Sequence, residues 1–540
     1  MTALVADDAP GSSPAPPAKP SRPPVQASYP PLTGTAKIAG TISLALATFM
    51  NVLDTSIANV SLSSIAGDLG VSSSQATWVI TSFAVANAIA LPLTGWLTQR
   101  FGAVKLFVVS VLLFVVSSWL CGLATSLPML IAFRVLQGFV AGPMIPLSQA
   151  LLLSSYPKAQ AGMALAVWSV TTLVAPVMGP MLGGWITDNI SWPWIFYINI
   201  PVGFLAAYVT WMIFKNRETP TRTLPIDGVG LGLLVLWVGS LQIMLDKGKE
   251  LDWFSSGFII GLASVAAVSF ACFLVWELVD NDHPVVDLRL FKIRNFWTGA
   301  LTLALGYGVF FGNVVLMPLW LQQYMGYTAT DAGLLTAPVG LFAILLSPVV
   351  GKYIAKVDPR KFATAAFLIF AGALYWRTFY NTQASFGVLV KPIILQGAAM
   401  AFFFIPLVTL TLSGLPPERV AAASGLSNFA RITAGAFGTS IATTMWEDRA
   451  ILHHAQLSES INSGNANATQ YLDGLQASGL SHEQALAAVN RTIDVQAYML
   501  GANDIFYASA ILFVVLIGVV WIARPAKSGG GGAEAAAGAH

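Results

Sequence analysis

Charged residues are scarce in this sequence. Only 10% of its 540 residues are Asp, Glu, Lys or Arg, whereas 56% are apolar. Soluble domains are about one quarter charged, because a folded chain needs polar residues to cover its surface. The composition therefore excludes a water-soluble globular protein. The net charge of +2, with Lys and Arg dispersed along the chain, also excludes a basic face that binds nucleic acid.

Cysteine is scarce as well. The two cysteines, Cys121 and Cys272, lie inside apolar runs, so the sequence has no material for a disulfide framework or a Cys-ligated metal site. A Gly-x-x-x-x-Gly-Lys-Ser/Thr phosphate loop is also missing, and the glycine cluster at Gly228 only opens an apolar helix. The sequence therefore predicts no metal, no cofactor and no use of ATP.

Long apolar runs, in contrast, are abundant. A helix needs roughly 20 mostly apolar residues to cross a bilayer. Fourteen such runs are bounded by charges, prolines or glycines, and they predict an all-α integral membrane protein with 14 transmembrane helices. The predicted spans cover residues 38–62, 76–97, 104–124, 127–153, 161–186, 194–214, 228–245, 256–279, 296–321, 331–353, 361–380, 386–412, 420–445 and 503–523.

Lys and Arg are distributed unequally between the two sides of these spans. Nineteen lie on the side that holds both termini, and the opposite side has only Lys247, Lys249, Arg449 and Arg491. Cytoplasmic loops of membrane proteins carry an excess of Lys and Arg. The sequence therefore predicts a multi-pass membrane protein with both termini in the cytoplasm.

The spans group as six, two and six. The predicted units are a disordered Pro-rich cytoplasmic tail (1–36), a six-helix half (37–214), two inserted helices with linkers (215–295), a second six-helix half (296–523) and a Gly/Ala-rich cytoplasmic tail (524–540). The second half includes a polar insertion on the outer side (446–502), in which Ser481 and Gln484 have the spacing of a helix capping box.

An internal repeat supports this division. A shift of 256 residues aligns 70–105 with 326–361 without a gap, and the matched positions include Gly95 with Gly351 and Lys105 with Lys361. Transporters are commonly built from duplicated halves around a site at the membrane midplane. The repeat therefore predicts two pseudo-symmetric halves.

The segment from Gly95 to Lys105 lies between the second and third spans. Its Gly95, Arg100, Gly102 and Lys105 resemble the signature loop of the major facilitator superfamily, although that loop usually has an acidic residue where Gln99 stands. The glycines permit a tight turn and close helix approach, and the cations face groups at helix C-termini. A plain cytoplasmic loop with turn glycines is the alternative.

Several charged residues lie inside the predicted spans, and two of them, Asp54 and Arg134, belong to recognisable motifs. The others, Glu277, Arg377, Lys391 and Arg431, either serve substrate charge or snorkel to the interfaces. Asp54 is in a first-span segment, 51–60, that resembles the first-helix motif of the fourteen-helix drug:proton antiporters of that superfamily, and Arg134 starts a similar motif that includes Gly138 and Gly142. Charges at this depth are costly unless paired or neutralised. We therefore predict that Asp54 carries protons and that Arg134 couples protonation to conformation, with Asp54 or first-span carbonyls as its acceptor. The alternatives are an Asp54 permanently satisfied by neighbours such as Thr55 and an Arg134 that is only a structural anchor.

The fifth span is rich in small residues and proline. Residues 175–184 resemble the antiporter motif that favours export over uptake, and generic helix packing is the alternative. Its conformational positions are Pro176, Gly179, Pro180, Gly183 and Gly184.

Four further segments, 239–246, 249–254, 412–419 and 503–506, resemble the inner-membrane subunits of three-part multidrug pumps within this family. The resemblance implies proton-driven export of hydrophobic drugs and uncouplers, together with a periplasmic adaptor and an outer-membrane channel. The insertion at 446–502 is then the predicted adaptor-docking site, with a floppy loop as the alternative. A nutrient:proton symporter of the same fold is the alternative function, and an enzyme or channel is disfavoured because no catalytic cluster lies on facing spans.

Several aromatic and polar residues in the spans are candidate drug contacts, because flexible and aromatic surfaces suit varied apolar ligands. Core packing or lipid contact is the alternative for each of them. The candidates are Asn51, Gln137, Trp168, Tyr307, Phe310, Phe311, Trp320 and Phe403.

Overall fold

The computed structural model describes residues 29–157, 160–222, 227–279, 285–354, 356–462 and 464–525. Within these ranges every regular element is a helix. The first six units are α1 (Gly34–Val60), α2 (Trp78–Phe101), α3 (Ala103–Gly122), α4 (Leu127–Ala141, continued by Met144–Ser155), α5 (Ala161–Asn189) and α6 (Trp194–Tyr197, continued by Asn199–Phe214). The others are α7 (Gly228–Lys247), α8 (Gly257–Val279), α9 (Arg294–Tyr324), α10 (Ala329–Thr336, continued by Pro338–Tyr353), α11 (Pro359–Arg377), α12 (Phe386–Leu412), α13 (Pro417–Glu459) and α14 (His482–Ile522).

Eleven of the helical units in the described part of the chain are long and apolar enough to cross a membrane. These eleven units are compatible with the fourteen predicted spans. The other three spans would then be α5, α11 and α13. Many apolar side chains face outward; on α8, Val268, Leu278 and Val279 are 64%, 64% and 75% exposed. Such surfaces require lipid rather than water. The chain is therefore a multi-pass membrane protein, and the predicted all-helical fold is confirmed.

The helices form two bundles with the same internal pairing. In the first bundle α1 packs against α5 and α6, α2 against α4, and α3 against α6. In the second bundle α9 packs against α13 and α14, α10 against α12, and α11 against α14. Each contact of the first bundle thus has its counterpart six helices later once α7 and α8 are set aside. The two halves are pseudo-symmetric, as the repeat predicts.

The halves meet through α2 with α13 and α10 with α5. The repeat-related glycines lie at these two contacts. A Cβ atom on Gly95 would be 2.6 Å from the Cβ of Ala422, and one on Gly351 would be 2.8 Å from that of Ala166. Because both glycines are near the helix ends on the side of the chain termini, that side of the interface is closed by two equivalent close approaches.

The inserted helices α7 and α8 form a pair beside the two halves. Helix α7 packs against α2 and α13. The Trp237 ring on α7 lies 5.5 Å from that of Phe429 on α13 and 5.0 Å from that of Phe270 on α8. The pair therefore covers one edge of the interface between the two halves and lies outside their centre.

The polar insertion predicted at 446–502 is largely helical. Helix α13 continues to Glu459, and α14 already begins at His482, with a short helix, Ala466–Ala477, between them. The predicted capping box is confirmed, because the Ser481 side chain accepts from the Gln484 amide and the Gln484 side chain accepts from the Ser481 amide. Helix pairing explains the extension, since Trp446 Nε1 donates to the Tyr498 carbonyl at 2.8 Å. The span helices thus extend as a helical hairpin.

Most of both predicted tails lies outside the described residues, which begin at 29 and end at 525. The described start of the chain is attached to the first half, because the Leu32 amide donates to the Ser155 carbonyl at 2.9 Å. Arg217 also donates to the carbonyl of Pro30.

Candidate functional site

Asp54 and Arg134 meet in the core of the first half. Both side chains are fully buried, and Arg134 Nη1 lies 2.5 Å from Asp54 Oδ2. Arg134 Nε donates to the carbonyl of Val79 on α2 at 3.0 Å. The arginine therefore joins α4 to α1 through a carboxylate and to α2 through a backbone carbonyl.

The second carboxylate oxygen of Asp54 also accepts hydrogen bonds. Gln137 Nε2 and Asn199 Nδ2 donate to Asp54 Oδ1 at 3.0 Å and 2.9 Å. Ser118 Oγ accepts from the same two amides, at 2.8 Å from Gln137 and 3.3 Å from Asn199. We call Asp54, Ser118, Arg134, Gln137 and Asn199 the carboxylate network. It joins α1, α3, α4 and α6, and its buried charges are paired and hydrogen-bonded as burial requires.

Aromatic rings enclose the cation of this network. The Arg134 guanidinium lies 4.2 Å from the centre of the Phe83 ring and 5.4 Å from that of Phe196. Such contacts stabilise a desolvated cation by about 2 kcal/mol. Arg134 Nη1 also donates to Gln137 Oε1 at 2.7 Å, so Asp54 is the one anion among the partners that the described residues give this cation.

Glycines set the helix spacing around the network. A Cβ on Gly138 would be 2.3 Å from the carbonyl oxygen of Phe83, and one on Gly142 would be 2.5 Å from the Cβ of Ala90. Helix α4 can therefore lie directly on α2, which places Arg134 within reach of the α2 backbone.

Helix α5 approaches α1 in the same way behind Asp54. A Cβ on Gly179 would be 2.4 Å from Ser56 Oγ, and one on Gly183 would be 2.8 Å from Ile57 Cγ1. Gly184 is partly exposed. The helix runs without interruption through Pro176 and Pro180, whose side chains lie outside the described residues.

The signature loop has no acidic residue at position 99, but a carboxylate from another segment contacts it. Glu218, in the linker after α6, accepts from the amides of Val104 and Lys105 at 2.9 Å each. Gly102 has φ +86°, and a Cβ there would be 2.4 Å from the Glu218 carboxylate. The linker therefore supplies an anion to the N-terminus of α3, although position 99 is Gln.

The rest of this loop is held by backbone and ring contacts. The Arg222 amide donates to the Gln99 carbonyl at 2.8 Å. The Arg100 guanidinium lies 5.5 Å from the Trp96 ring centre. The linker and the loop thus form one folded unit on the side of the termini.

A small cavity of about 10 Å³, enough for about one water molecule, lies between the two halves. Gln149 and Trp168 line it from the first half, and Ser424, Asn428 and Arg431 line it from α13. Gln149 Oε1 accepts from Ser424 Oγ and from Asn428 Nδ2, the latter at 3.2 Å. The cavity is therefore crossed by a polar bridge between the halves.

The predicted drug contacts separate into three groups. Trp168 lines the cavity, and Tyr307 and Phe311 lie beside it as a stacked pair with ring centres 5.3 Å apart. The Arg431 guanidinium lies 4.6 Å from the Tyr307 ring, which connects this pair to the cavity wall.

The other five candidates lie elsewhere. Gln137 is in the carboxylate network, and Asn51 donates to the Ala141 carbonyl at 3.0 Å. The remaining three are buried in the core of the second half, and these are Phe310, Trp320 and Phe403. Among the described residues no group of three His, Cys, Asp or Glu is placed to hold a metal ion.

Comparison with known families agrees with this architecture. The family model described as Major Facilitator Superfamily matches residues 44–439. This chain belongs to the major facilitator superfamily. Its members are transporters rather than enzymes, which agrees with a polar network and a cavity enclosed by two helical halves.

Curated relatives within the superfamily are similar over nearly their whole length. The chain is 54% identical over 508 residues to "Multidrug export protein EmrB" of Escherichia coli K12, covering 93% of this chain and 99% of the relative. It is 50% identical over 505 residues to "Fatty acid resistance protein FarB" of Neisseria gonorrhoeae, with the same coverage. It is 28% identical over 473 residues to "Colistin resistance protein EmrB" of Acinetobacter baumannii, covering 86% of this chain and 92% of the relative.

Solved structures of the superfamily share the fold. The proton:xylose symporter XylE matches with a TM-score of 0.58 and 14% identity, covering 90% of this chain and 95% of that one. The human organic anion transporter MFSD10 matches with a TM-score of 0.54 and 15% identity, covering 90% and 99%. At these identities the likeness concerns the fold alone.

Sequence reasoning missed several polar residues of both sites. Asn199, Ser118, Gln149 and Asn428 are not charged, and single polar residues are common in transmembrane helices. Asn199 lies in segment 192–201, and the closely spaced Trp192, Trp194 and Pro201 of this segment are the one signal that could have drawn attention to it.

Proposed function

We propose that this protein exports hydrophobic and amphipathic drugs, including uncouplers, from the membrane or the cytoplasm in exchange for protons. The burial of Asp54 opposite Arg134 is the observation that carries the proton coupling. The names of the relatives, multidrug export and resistance proteins, support the class of substrate. An ionisable residue inside a membrane domain is a functional candidate by default, because its burial is costly.

Protonation of Asp54 would change the whole carboxylate network. A neutral carboxyl group attracts Arg134 less, and Arg134 cannot shed its own charge. Removing one partner of a buried ion pair costs about 3–5 kcal/mol. This free energy is available to shift the balance between two arrangements of α1 and α4, and drug binding between the halves would be linked to it.

The proposed energy source is the proton gradient rather than ATP, since the sequence has no phosphate-binding loop. One proton that enters through about 150 mV and one pH unit releases about 5 kcal/mol. That is equivalent to a drug gradient of roughly a few thousand-fold. A single protonatable carboxylate therefore suffices for useful export.

The proposed location is the bacterial inner membrane, with both termini in the cytoplasm. The nineteen Lys and Arg on the side of the termini support this orientation. Protons would then enter from the side that bears the α13/α14 hairpin.

The direction of proton movement separates this function from nutrient:proton symport. Inside-out vesicles with an acidified lumen receive a pulse of drug in the medium, and a lumenal pH dye records the response. We expect an alkaline shift, because each drug that enters the lumen exchanges for lumenal protons. Acidification of the lumen would indicate symport and would reject the proposal.

We further propose that the α13/α14 hairpin docks a periplasmic adaptor protein, which connects the pump to an outer-membrane channel. The hairpin projects from the second half, and many of its residues are exposed, among them Ile451, Tyr471 and Leu486. Its size and helical order support a docking role.

A shortened hairpin tests this role. His454 Nε2 lies 3.1 Å from Asn490 Oδ1, so residues 456–488 can be replaced by a short Gly-Ser linker where the two helices are adjacent. We expect the co-expressed adaptor to be lost from pull-downs while drug-induced proton movement in vesicles is retained. Adaptor recovery equal to that of the wild type would contradict docking at the hairpin.

A further inference from the structure

An open groove lies beside the inserted helix pair, on the side opposite the chain termini. Its volume is about 200 Å³, whereas one water molecule needs only roughly 10–15 Å³ of such space, so the groove has room for a group of many atoms. Its walls come from the start of α2, the end of α7 and the start of α8. The lining residues are Gln75, Trp78, Lys247, Glu250, Leu251 and Phe258.

The groove lies at the edge of the hydrocarbon layer. Helix α7 has 20 residues, and at about 1.5 Å per residue it spans about 30 Å, which is the thickness of that layer. Its last residue, Lys247, therefore lies where the hydrocarbon ends. Trp78 begins α2 and Gly257 begins α8, so the other two walls are at the same depth. Tryptophan is typical of this level, at which lipid headgroups lie.

Two opposite charges lie side by side in the groove. Lys247 Nζ donates to Glu250 Oε2 at 2.7 Å and to Thr77 Oγ1 at 2.6 Å. The Lys247 side chain is 7% exposed and that of Glu250 is 42% exposed. A ligand with a single charge would be attracted by one of these groups and repelled by the other. A ligand that carries both charges close together is complementary to the pair.

An apolar surface continues from the groove along α8. Phe258, which lines the groove, is 55% exposed, and Val265 is 43% exposed. These two residues are seven positions apart and therefore share one face of the helix. A molecule with apolar chains can thus place its charged end in the groove and its chains along α8.

We propose that this groove binds the headgroup of a zwitterionic aminophospholipid, the chemistry of phosphatidylethanolamine. The phosphate would lie beside Lys247, and the primary ammonium would donate hydrogen bonds to Glu250. The Trp78 ring also attracts a cation. Phosphatidylcholine has the same charges but its quaternary ammonium cannot donate, and phosphatidylglycerol has no cation, so Glu250 repels it.

The position of the groove gives such a lipid a structural role. The last turn of α7 is bonded to both halves, because Asp246 accepts from Thr81 on α2 and the Leu245 carbonyl accepts from Ser440 on α13. A lipid bound in the groove therefore contacts the turn that connects the two halves on this side.

Three lipids with identical chains test the headgroup preference. The full-length protein in detergent micelles is titrated with dioctanoyl phosphatidylethanolamine, phosphatidylcholine and phosphatidylglycerol, and native mass spectrometry gives the affinity of the first bound lipid. We expect phosphatidylethanolamine to bind most tightly and phosphatidylglycerol most weakly. Binding of either other lipid as tightly as phosphatidylethanolamine would overturn the proposal. Equally tight binding of O-phosphoethanolamine, which lacks the chains, would indicate a soluble ligand and would also overturn it.

Substitution of the carboxylate locates the preference. Hydrogen bonds to charged groups predict that Glu250→Gln weakens phosphatidylethanolamine binding by about tenfold. The same variant should strengthen phosphatidylglycerol binding, because the repelling charge is removed. Glu447→Gln is the matched control, since Glu447 is a similarly exposed carboxylate that pairs with Lys249 at 3.1 Å outside the groove. We expect wild-type affinities for all three lipids in that variant.

Equal weakening of all three lipids by Glu250→Gln would assign the residue a structural role and overturn the inference. Equal effects of Glu250→Gln and Glu447→Gln would place the lipid elsewhere and would also overturn it. If Glu250→Gln does not fold, the wild-type order of affinities and the comparison with O-phosphoethanolamine still decide.

Discussion

At the scale of single residues, Asp54 is the point where one proton changes the most contacts. Its carboxylate accepts from Arg134, Gln137 and Asn199. Asp54→Asn keeps the shape of the side chain but cannot titrate, so we expect drug-induced proton movement in inside-out vesicles to be abolished. The loss of the ion pair predicts a free energy of unfolding lower by about 3–5 kcal/mol, measured as a lower melting temperature of a folded protein.

An exposed carboxylate provides the control for this variant. Asp473→Asn, on the short helix Ala466–Ala477, changes the same charge far from the network, and we expect wild-type proton movement. Normal coupling in Asp54→Asn would remove Asp54 from the central role.

How far single residues could be predicted depends on their charge. Asp54 and Arg134 are conspicuous because few charges occur inside the spans, and their encounter follows from the need to pair. Asn199 and Ser118 could not be predicted, since no spacing in the sequence links side chains on α3 and α6. Phe310 and Phe403 had the right chemistry for drug contacts but lie in the core of the second half. Residue type alone does not give the direction of a side chain.

At the scale of helices, glycines determine how closely α4 lies on α2. Gly138→Ala would place a Cβ 2.3 Å from the backbone oxygen of Phe83, so the helices must separate. We expect the free energy of unfolding to fall by about 1–3 kcal/mol, because backbone cannot yield as a flexible side chain does. Thermal unfolding of the purified protein measures this change.

A glycine-to-alanine substitution is expected to have the opposite effect on stability where the new Cβ atom has free space. On α11, no atom lies within 4 Å of the position that a Cβ on Gly372 would occupy, and alanine is the better helix former by about 1 kcal/mol. Gly372→Ala is therefore expected to leave the melting temperature unchanged or to raise it. An equal decrease in both variants would show that the close approach of α4 and α2 is not what Gly138 provides.

The sequence predicted where helices occur more accurately than where they begin and end. The apolar runs located the helices, but α13 and α14 continue past the predicted 445 and start before the predicted 503. Hydropathy marks the thickness of the bilayer, and it is insensitive to a polar helix that continues by pairing with its neighbour. The break in α4 at Gly142 and Pro143 was likewise hidden inside one apolar run.

At the scale of the whole molecule, the two-half architecture followed from the repeat, but the contacts between the halves did not. No sequence signal pairs α2 with α13 or α10 with α5, because these helices belong to different copies of the repeat. The structure adds that Gly95 and Gly351 lie at the two equivalent contacts. A repeated glycine thus marks an interface that composition alone could not locate.

These contacts lie between the cavity and the side of the termini, so they are expected to control access to the cavity. Gly95→Val would bring a Cβ within 2.6 Å of that of Ala422, whereas carbon atoms in contact are about 3.5–4.0 Å apart. The halves must then separate on this side. In a Cys272→Ser background, we expect an impermeant maleimide to label Ser424→Cys faster in inside-out vesicles when Gly95→Val is present. Gly232→Val on α7 is the control, because no atom lies within 4 Å of the position that its Cβ would occupy. An unchanged labelling rate in Gly95→Val would show that this contact does not close the cavity.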